Sequence, residues 1–175
     1  TSWATHGFGS VLLFLAFGTV LTLILQSSSA TMAITLIMLS MGWIPFNMAC
    51  AMVLGENIGT TITANIAASV GNTQAKRAAM SHTIFNLTGV IWALALYNPF
   101  LHLVGSITEA LFGLPNPAAE GFIVTGPTSA EGTAALYGLS MLHTLFNVIN
   151  TLLLVWFTKW IAKAVSWLIR TPENQ

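Results

Sequence analysis

The first 41 residues consist of two apolar arms separated by a polar run. The arms are Phe8–Leu25 and Met32–Met41, and Gln26–Thr31 lies between them. Together the arms are too long for one transmembrane helix and too short for two helices with a loop. Polar side chains in apolar sequence are costly in lipid unless they face a water-filled cavity or a bound ion. The pattern therefore predicts a re-entrant helical hairpin over residues 8–41, with Gln26–Ser29 at its tip.

Residues 46–70 form a second interrupted apolar element. Two short apolar halves, Phe46–Leu54 and Ile62–Val70, are separated by Gly55–Thr61, which contains two glycines and several polar residues. Such a run interrupts a span that would otherwise be continuous, so we expect a discontinuous helix here. Two interrupted elements in one chain indicate a binding site near the middle of the membrane, as in secondary transporters.

The rest of the chain contains two uninterrupted apolar stretches, residues 78–97 and 133–157, each long enough to cross a membrane as a helix. The loop between them has an apolar part over residues 101–112 that suits a short interfacial helix. The end of the chain, residues 158–175, places tryptophans beside basic residues, which is typical of an amphipathic helix at the lipid–water interface. We therefore divide the chain into a membrane unit over residues 1–157 and an amphipathic tail.

The composition indicates an integral membrane protein. Hydrophobic residues make up 55% of the chain and charged residues 6%, whereas soluble domains average about 25% charged residues. The formal net charge is zero, so no nucleic acid is expected as a partner. Cys50 is the single cysteine, which excludes an intramolecular disulfide. The chain begins at Thr1, so we expect a processed chain or a fragment of a longer protein, and it is short for a complete transporter, so it is expected to be one half that pairs with a second repeat.

All Lys and Arg residues occur in two clusters, Lys76-Arg77 and the residues from Lys159 onward. If the stretches 78–97 and 133–157 both cross the membrane, the two clusters lie on one face and the glutamate-containing loop lies on the other. The positive-inside rule then places the clusters and the C-terminus in the cytoplasm. We expect a multi-pass protein of the plasma membrane, which is the inner membrane in a bacterium.

A short sequence repeat places a histidine and an asparagine four residues apart on one helix face in each copy. The pairs are His82 with Asn86 and His143 with Asn147. Hydrogen bonding between helices is the expected role, and a polar relay or a metal site is the alternative. Asn65 and Asn150 carry the same structural expectation.

These motifs resemble the type II sodium-dependent phosphate cotransporter family. The resemblance rests on Gln26–Ala30, on Gly55–Thr61, on the stretch from Lys76 to Asn86 and on His143–Asn147. It covers the chain up to about residue 157. Members of that family carry two inverted copies of this unit. The resemblance therefore implies that this chain is one repeat, and the orientation above makes it the C-terminal one.

The resemblance implies an all-α membrane protein, built as one inverted-repeat unit with a re-entrant helical hairpin, a discontinuous helix and two full transmembrane helices. It implies sodium-coupled transport of inorganic phosphate, with the ions held where two hairpin tips meet. The implied partners are phosphate, the lipid bilayer and a second inverted repeat, either in the same full-length protein or in a homodimer. Na⁺ is the implied cofactor, and no transition metal is expected.

Under this interpretation, phosphate binds at the hairpin tip. Ser27, Ser28 and Ser29 precede a helix start, where free backbone N–H groups and the helix dipole favour an anion. Their hydroxyls add further donors. The motifs contain no Lys or Arg, so the charge of the anion must be offset by dipoles and co-bound cations. That requirement is a physical reason for obligatory cotransport.

Sodium prefers hard oxygen ligands such as carbonyl, amide, hydroxyl and carboxylate oxygens. The candidate sodium ligands are Gln26, Glu56, Asn57, Thr60 and Thr61. Gly55 and Gly59 are expected to shape the backbone so that its carbonyl oxygens turn inward. Glu56 has two interpretations, either an ion ligand or a protonated, hydrogen-bonded structural residue.

We do not expect an enzyme, but other functions remain open. An intramembrane serine hydrolase would use Ser28 as nucleophile and His82 or His143 as base, although the sequence has no Gly-x-Ser-x-Gly elbow. A passive anion channel or a membrane assembly subunit is a further alternative. The small residues of Gln26–Ala30 also have a purely structural interpretation, namely close packing between helices.

Overall fold

The computed structural model describes residues 7–171, and residues 1–6 and 172–175 lie outside that description. Every regular element in the described part is helical, as the sequence predicts. The helices are α1 (Gly7–Leu25), α2 (Ser28–Ser40), α3 (Phe46–Ala68), α4 (Thr73–Ala95), α5 (Tyr97–Phe112), α6 (Ala130–Leu154) and α7 (Thr158–Leu168), with a 3-10 turn at Val155–Phe157 between the last two.

Three helical segments are long and apolar enough to cross a membrane, namely α1, α4 and the segment Ala130–Leu168, which includes α6. The protein is therefore a membrane protein. The stretches predicted to span, 78–97 and 133–157, correspond to α4 and α6, each of which begins a few residues earlier than predicted. The sequence pattern treats α1 as one arm of a hairpin, yet its 19 residues are sufficient for a span by length and composition.

Helices α1 and α2 form the helical hairpin that the two apolar arms predict, joined by Gln26 and Ser27 alone. Gln26 has a left-handed backbone (φ 52°), and it is the one non-glycine residue with positive φ between residues 7 and 171. A buried hydrogen bond of 3.1 Å between the hydroxyls of Thr22 and Thr31 joins the two arms near the turn. The re-entrant placement of this hairpin in the bilayer stays a prediction.

Helix α3 is continuous from Phe46 to Ala68, so the predicted discontinuous helix over residues 46–70 is wrong. Asn57, Thr60 and Thr61 do not break the helix because their side chains hydrogen-bond to carbonyls of its own preceding turn. The Thr60 hydroxyl, for example, donates to the Glu56 carbonyl at 2.8 Å. Side-chain bonds of this kind satisfy hydroxyls and amides in an apolar environment without unwinding the backbone.

The glycines of α3 have a packing role, and the turning of their carbonyl oxygens toward an ion stays a prediction. A Cβ built on Gly55 would lie 2.0 Å from the Leu15 carbonyl oxygen, and one on Gly59 would lie 2.8 Å from the Thr22 Cβ. On the facing helix, a Cβ on Gly18 would lie 2.3 Å from the Met52 carbonyl oxygen. Small residues four apart thus let α1 and α3 approach closely, as is common between membrane helices.

Asparagine side chains connect α4 to its neighbours. Asn150 of α6 accepts a hydrogen bond from the Trp92 indole at 3.0 Å and donates to the Phe85 carbonyl at 3.0 Å. Asn65 of α3 donates to the Thr83 hydroxyl at 2.5 Å. The structural role expected for both asparagines, hydrogen bonding between helices, is therefore confirmed.

Helix α7 folds back against the start of α4. Val165 of α7 is buried, and the Arg77 guanidinium Nε donates to the Ile169 carbonyl at 3.0 Å. The helix lies where an amphipathic tail is expected, and the last four residues of that tail, 172–175, are outside the described part.

Candidate functional site

A cavity of about 320 Å³ opens between α2, α3 and α6 beside the hairpin turn. Its lining residues are Ser28, Ser29, Met32, Ala33, Leu36, Glu56 and His143. Two motifs that lie far apart in sequence, the serine run and the Gly55–Thr61 segment, therefore each contribute polar side chains to one space. Larger cavities lie elsewhere in the fold, but this one is lined by Ser28 and Ser29 of the predicted anion residues and by Glu56 of the predicted cation residues.

The three serines have different environments around the start of α2. Ser27 is the residue before the helix, and its hydroxyl oxygen accepts a hydrogen bond from the Ala30 backbone N–H at 3.2 Å. Ser28 and Ser29 are the first two residues of the helix and are exposed. Backbone N–H groups in a first helical turn have no partner within the helix. The hydroxyls and N–H groups at this end therefore form a set of donors suited to an oxyanion.

Glu56 forms the α3 wall of the cavity. Its side chain is 4% exposed, and its Oε2 has no hydrogen-bond partner in the described part of the protein. A buried carboxylate oxygen without a donor is costly unless a proton or a bound cation satisfies it. The oxygens of Glu56, Ser28 and Ser29 are hard donors of the type that Na⁺ prefers, so the residues present fit a sodium ion.

The other predicted sodium ligands do not line this cavity. Within α3, the Asn57 side chain donates to the Val53 carbonyl at 3.3 Å and the Thr61 hydroxyl donates to the Ile58 carbonyl at 2.7 Å. Thr60 makes the similar bond described above, and Gln26 is exposed at the left-handed turn. The structure thus places Glu56 in one cavity with Ser28 and Ser29. That the other four residues bind sodium stays a prediction.

The two His–Asn pairs have different surroundings. The Asn86 amide lies 3.1 Å from the His82 Nε2 and donates to the Asn57 carbonyl at 3.1 Å, which links α4 to α3. In the second pair, the Asn147 amide donates to the His143 carbonyl within α6, and the His143 ring faces the cavity. The expected hydrogen bond between helices is therefore present in the first pair, where Asn86 makes it. In the second pair, the bond that Asn147 donates stays within α6.

His143 lines the cavity although the transport interpretation did not include it; the sequence named it only as a possible base for Ser28 in the hydrolase alternative and in a possible relay or metal site. Its spacing from Asn147 indicates a shared helix face, but spacing cannot show which other helix that face meets. Residues 7–171 contain no group of three or more His, Cys, Asp or Glu side chains placed to hold a metal ion. His143 and Glu56 are thus a histidine and a carboxylate on two walls of one cavity, without a third such ligand.

Comparisons with known proteins agree with the motifs. The family model described as Na+/Pi-cotransporter matches residues 4–115. The protein YqeW of Bacillus subtilis (strain 168) is 42% identical over 106 residues, which cover 61% of this chain and 33% of that relative. YjbB of Escherichia coli (strain K12), named for inorganic phosphate export, is 28% identical over 166 residues, 94% of this chain and 26% of its own length.

A mammalian relative is similar over much of the chain. Sodium-dependent phosphate transport protein 2C of Mus musculus is 32% identical over 165 residues, which cover 82% of this chain and 28% of that protein. The chain thus spans about a quarter to a third of the length of these relatives. No solved structure gave a significant match. Because the family model covers more than half of the sequence, the chain belongs to the Na+/Pi-cotransporter family.

Proposed function

We propose that this chain takes part in sodium-coupled transport of inorganic phosphate across a membrane and supplies one half of the site for both ions. The observation that carries the proposal is the cavity in which the start of α2 faces Glu56, whose Oε2 has no hydrogen-bond partner among the described residues. Family membership and relatives named for phosphate transport support phosphate as the substrate.

The charges around the cavity support coupling to a cation. Helices α1, α2 and α3 contain no Lys or Arg, and Glu56, when ionised, adds a negative charge beside the anion site. An anion entering this space needs a positive charge in addition to the helix dipole. Bound Na⁺ supplies that charge, and each ion then favours the binding of the other. Ser28 and Ser29 would bind the anion, and Glu56 would hold the cation.

The exposure of the serines supports a half-site. Ser28 and Ser29 are exposed, whereas a phosphate held for transport must be shielded from bulk water and from lipid. We propose that a second inverted repeat covers this end of α2, supplied either by the rest of a longer protein or by a second copy of the chain. The short share of the relatives that the chain spans is consistent with the first source.

The charge clusters support an orientation. All five Lys and Arg residues lie at the start of α4 or in and just after α7, and Glu131 lies at the opposite end of α6. We propose a multi-pass protein of the plasma membrane, the inner membrane in a bacterium, with the basic clusters and the C-terminus in the cytoplasm. Lysine labelling of intact cells with a membrane-impermeant reagent tests this, since it should leave Lys159 and Lys163 unmodified until the membrane is broken.

Phosphate binding in the presence and absence of sodium tests the function. Titration calorimetry of the purified protein should show phosphate binding in NaCl and at least tenfold weaker binding when choline replaces Na⁺, with sulfate as the control anion. Binding that does not change on this replacement would contradict coupling. In proteoliposomes, imposing the sodium gradient in each direction distinguishes uptake from the export for which the YjbB relatives are named.

One observation favours a second candidate function, an intramembrane serine hydrolase. Ser28, His143 and Glu56 line the same cavity, and these are the three residue types of a hydrolytic triad. No hydrogen bond joins the His143 ring to Ser28 within the described residues, however, and catalysis requires the base within reach of the nucleophile. Covalent labelling of Ser28 by a fluorophosphonate probe would favour the hydrolase.

A passive channel is tested separately, since phosphate flux that does not depend on sodium would favour it.

A further inference from the structure

The five Lys and Arg residues of the chain gather at one end of the fold. Lys76 and Arg77 are in the first turns of α4, and Lys159 and Lys163 are on α7, with Arg170 just after it. Glu131 is in the first turn of α6, at the end of that helix that lies away from the basic residues. The length of α6, at 1.5 Å per residue, puts about 35 Å between Glu131 and the basic end. The chain is therefore neutral overall but has one strongly basic end.

Helix α7 is fixed in place at this end. Val165 is buried, Ile161 and Ile169 are half-buried, and Arg77 of α4 donates to the Ile169 carbonyl. These contacts use Ile169, just after the helix, and the face of α7 that carries residues 161 and 165, which lie four apart and share one side of the helix. The opposite face consequently points away from the protein.

The outward face of α7 combines aromatic and basic side chains. Trp160 and Trp167 are each 68% exposed, and Lys159 and Lys163 are exposed beside them. The Lys163 Nζ lies 5.7 Å from the centre of the Trp160 ring. Tryptophan favours the boundary between acyl chains and head groups, and a lysine beside it can extend its charge to the phosphate level.

The position of α7 along the chain places this face at the membrane boundary. Helix α6 is part of a segment able to span the bilayer, and α7 begins after the three-residue turn Val155–Phe157 that follows it. We infer that the outward face of α7, together with Lys76 and Arg77, is a binding surface for anionic phospholipid head groups. This surface is separate from the cavity at the hairpin turn.

Charge complementarity selects lipid as the occupant. Among the described carboxylates, Glu56 is buried and the others lie on α5, in the loop before α6 and in the first turn of α6, so none offsets the basic end. Lysines near a negatively charged leaflet each contribute about 1 kcal/mol of attraction. Tryptophans between them add apolar contact that a soluble acidic partner would not require.

Quenching of tryptophan fluorescence by brominated lipids tests this surface. The protein is reconstituted into vesicles of phosphatidylcholine and phosphatidylglycerol in which either lipid, at equal mole fraction, carries brominated acyl chains. The double variant W160F/W167F identifies the part of the signal that comes from α7. We expect brominated phosphatidylglycerol to quench this part more strongly than brominated phosphatidylcholine does.

Charge variants provide the matched control. K159Q/K163Q should lose the preference for phosphatidylglycerol, whereas K159R/K163R should retain it because the charge is unchanged. Equal quenching by the two lipids in the wild-type protein would overturn the inference, as would a preference that persists in K159Q/K163Q. Absence of quenching of the α7 tryptophans by either lipid would also overturn it, since protein and not lipid would then cover this face.

Discussion

The hydroxyl of Thr19 on α1 lies 3.0 Å from the carbonyl oxygen of Gly55 on α3. The same hydroxyl lies 2.9 Å from the Leu15 carbonyl of its own helix, so one side chain contacts backbone oxygens of two helices. Contact at this distance is possible only because Gly55 has no side chain. The crossing of α1 and α3 therefore positions the hairpin arm α1 directly against the helix that carries Glu56.

Substitution of Gly55 by alanine should destabilise the protein. The new Cβ would lie 2.0 Å from the Leu15 carbonyl oxygen, so the two helices would have to separate. Overpacking of this kind costs about 1–3 kcal/mol or more. We expect G55A to lower the midpoint of thermal unfolding in detergent by several degrees and to reduce phosphate binding, because the displaced α3 carries one wall of the cavity.

Gly9 provides the matched control on α1. A Cβ at Gly9 would meet nothing within 4 Å, and alanine is favoured over glycine in a helix by up to about 1 kcal/mol. G9A should therefore leave the midpoint unchanged or raise it slightly. If G55A and G9A unfolded at the same temperature, the close packing of α1 and α3 would not be a source of stability.

Ser27 and Ser28 should give opposite results when each is replaced by alanine. The Ser27 hydroxyl accepts from the Ala30 N–H, so S27A removes a helix cap and should cost about 0.5–2 kcal/mol of stability. Ser28 is exposed and faces the cavity. S28A should change stability by less than about 0.5 kcal/mol and weaken phosphate binding about tenfold, since a hydrogen bond to a charged group is lost.

Thermal unfolding and phosphate titration of the two variants separate a structural serine from a binding serine. Ser69, which is exposed and donates to the Ile66 carbonyl at the end of α3, is a control far along the chain from the hairpin turn. S69A should behave as the wild-type protein in both measurements. Phosphate affinity that is normal in S28A would remove Ser28 from the site.

The polarity pattern was sufficient to predict the hairpin but not the continuity of α3. A polar run between two apolar arms leaves few positions at which the chain can turn, and the turn does fall at Gln26 and Ser27. Glycines and polar residues within an apolar stretch are ambiguous, because they suit both a broken helix and a close helix crossing. The four-residue spacing of Gly55 and Gly59 favours a crossing, but the partner, α1, is visible only in the fold.

The candidate site, too, could be predicted from the sequence only in part. The serines and Glu56 were identified from sequence because polar groups in apolar surroundings are conspicuous. Asn57 and Thr60 were equally conspicuous, yet both make hydrogen bonds within α3. Which face of α3 meets the serines depends on how the helices rotate and pack, and sequence periodicity does not contain that information for a helix with small residues on most sides.

Glu56 should determine the response to sodium. E56Q keeps the size of the side chain and removes its charge, so a cation held by the carboxylate would lose its main attraction. We expect the sodium concentration for half-maximal phosphate binding to rise at least tenfold in E56Q, with little loss of stability because the amide can donate within the cavity. E109Q, at an exposed position on α5, is the control for loss of one negative charge.

The two interpretations of Glu56 predict different data. If the carboxylate is only a structural residue, E56Q retains the wild-type sodium dependence and alters the unfolding midpoint alone.

A variant at His143 adds a second probe of the same cavity. H143Q retains a hydrogen-bond donor and should bind phosphate better than H143F, in which the ring of similar size cannot donate.

Asn150 should be the asparagine most costly to remove from α6. Its side chain is fully buried, accepts from the Trp92 indole and donates to the Phe85 carbonyl, so N150A would leave the partly buried Trp92 N–H and the Phe85 carbonyl without these partners. Such a loss costs about 1–3 kcal/mol.

Asn147 on the same helix donates only to the His143 carbonyl of its own helix and provides the control. We expect N150A to unfold at a clearly lower temperature than N147A, and circular dichroism in detergent measures both midpoints. The indole fluorescence of Trp92 should also change in N150A, whereas equal midpoints in the two variants would show that the bond between α4 and α6 does not contribute to stability.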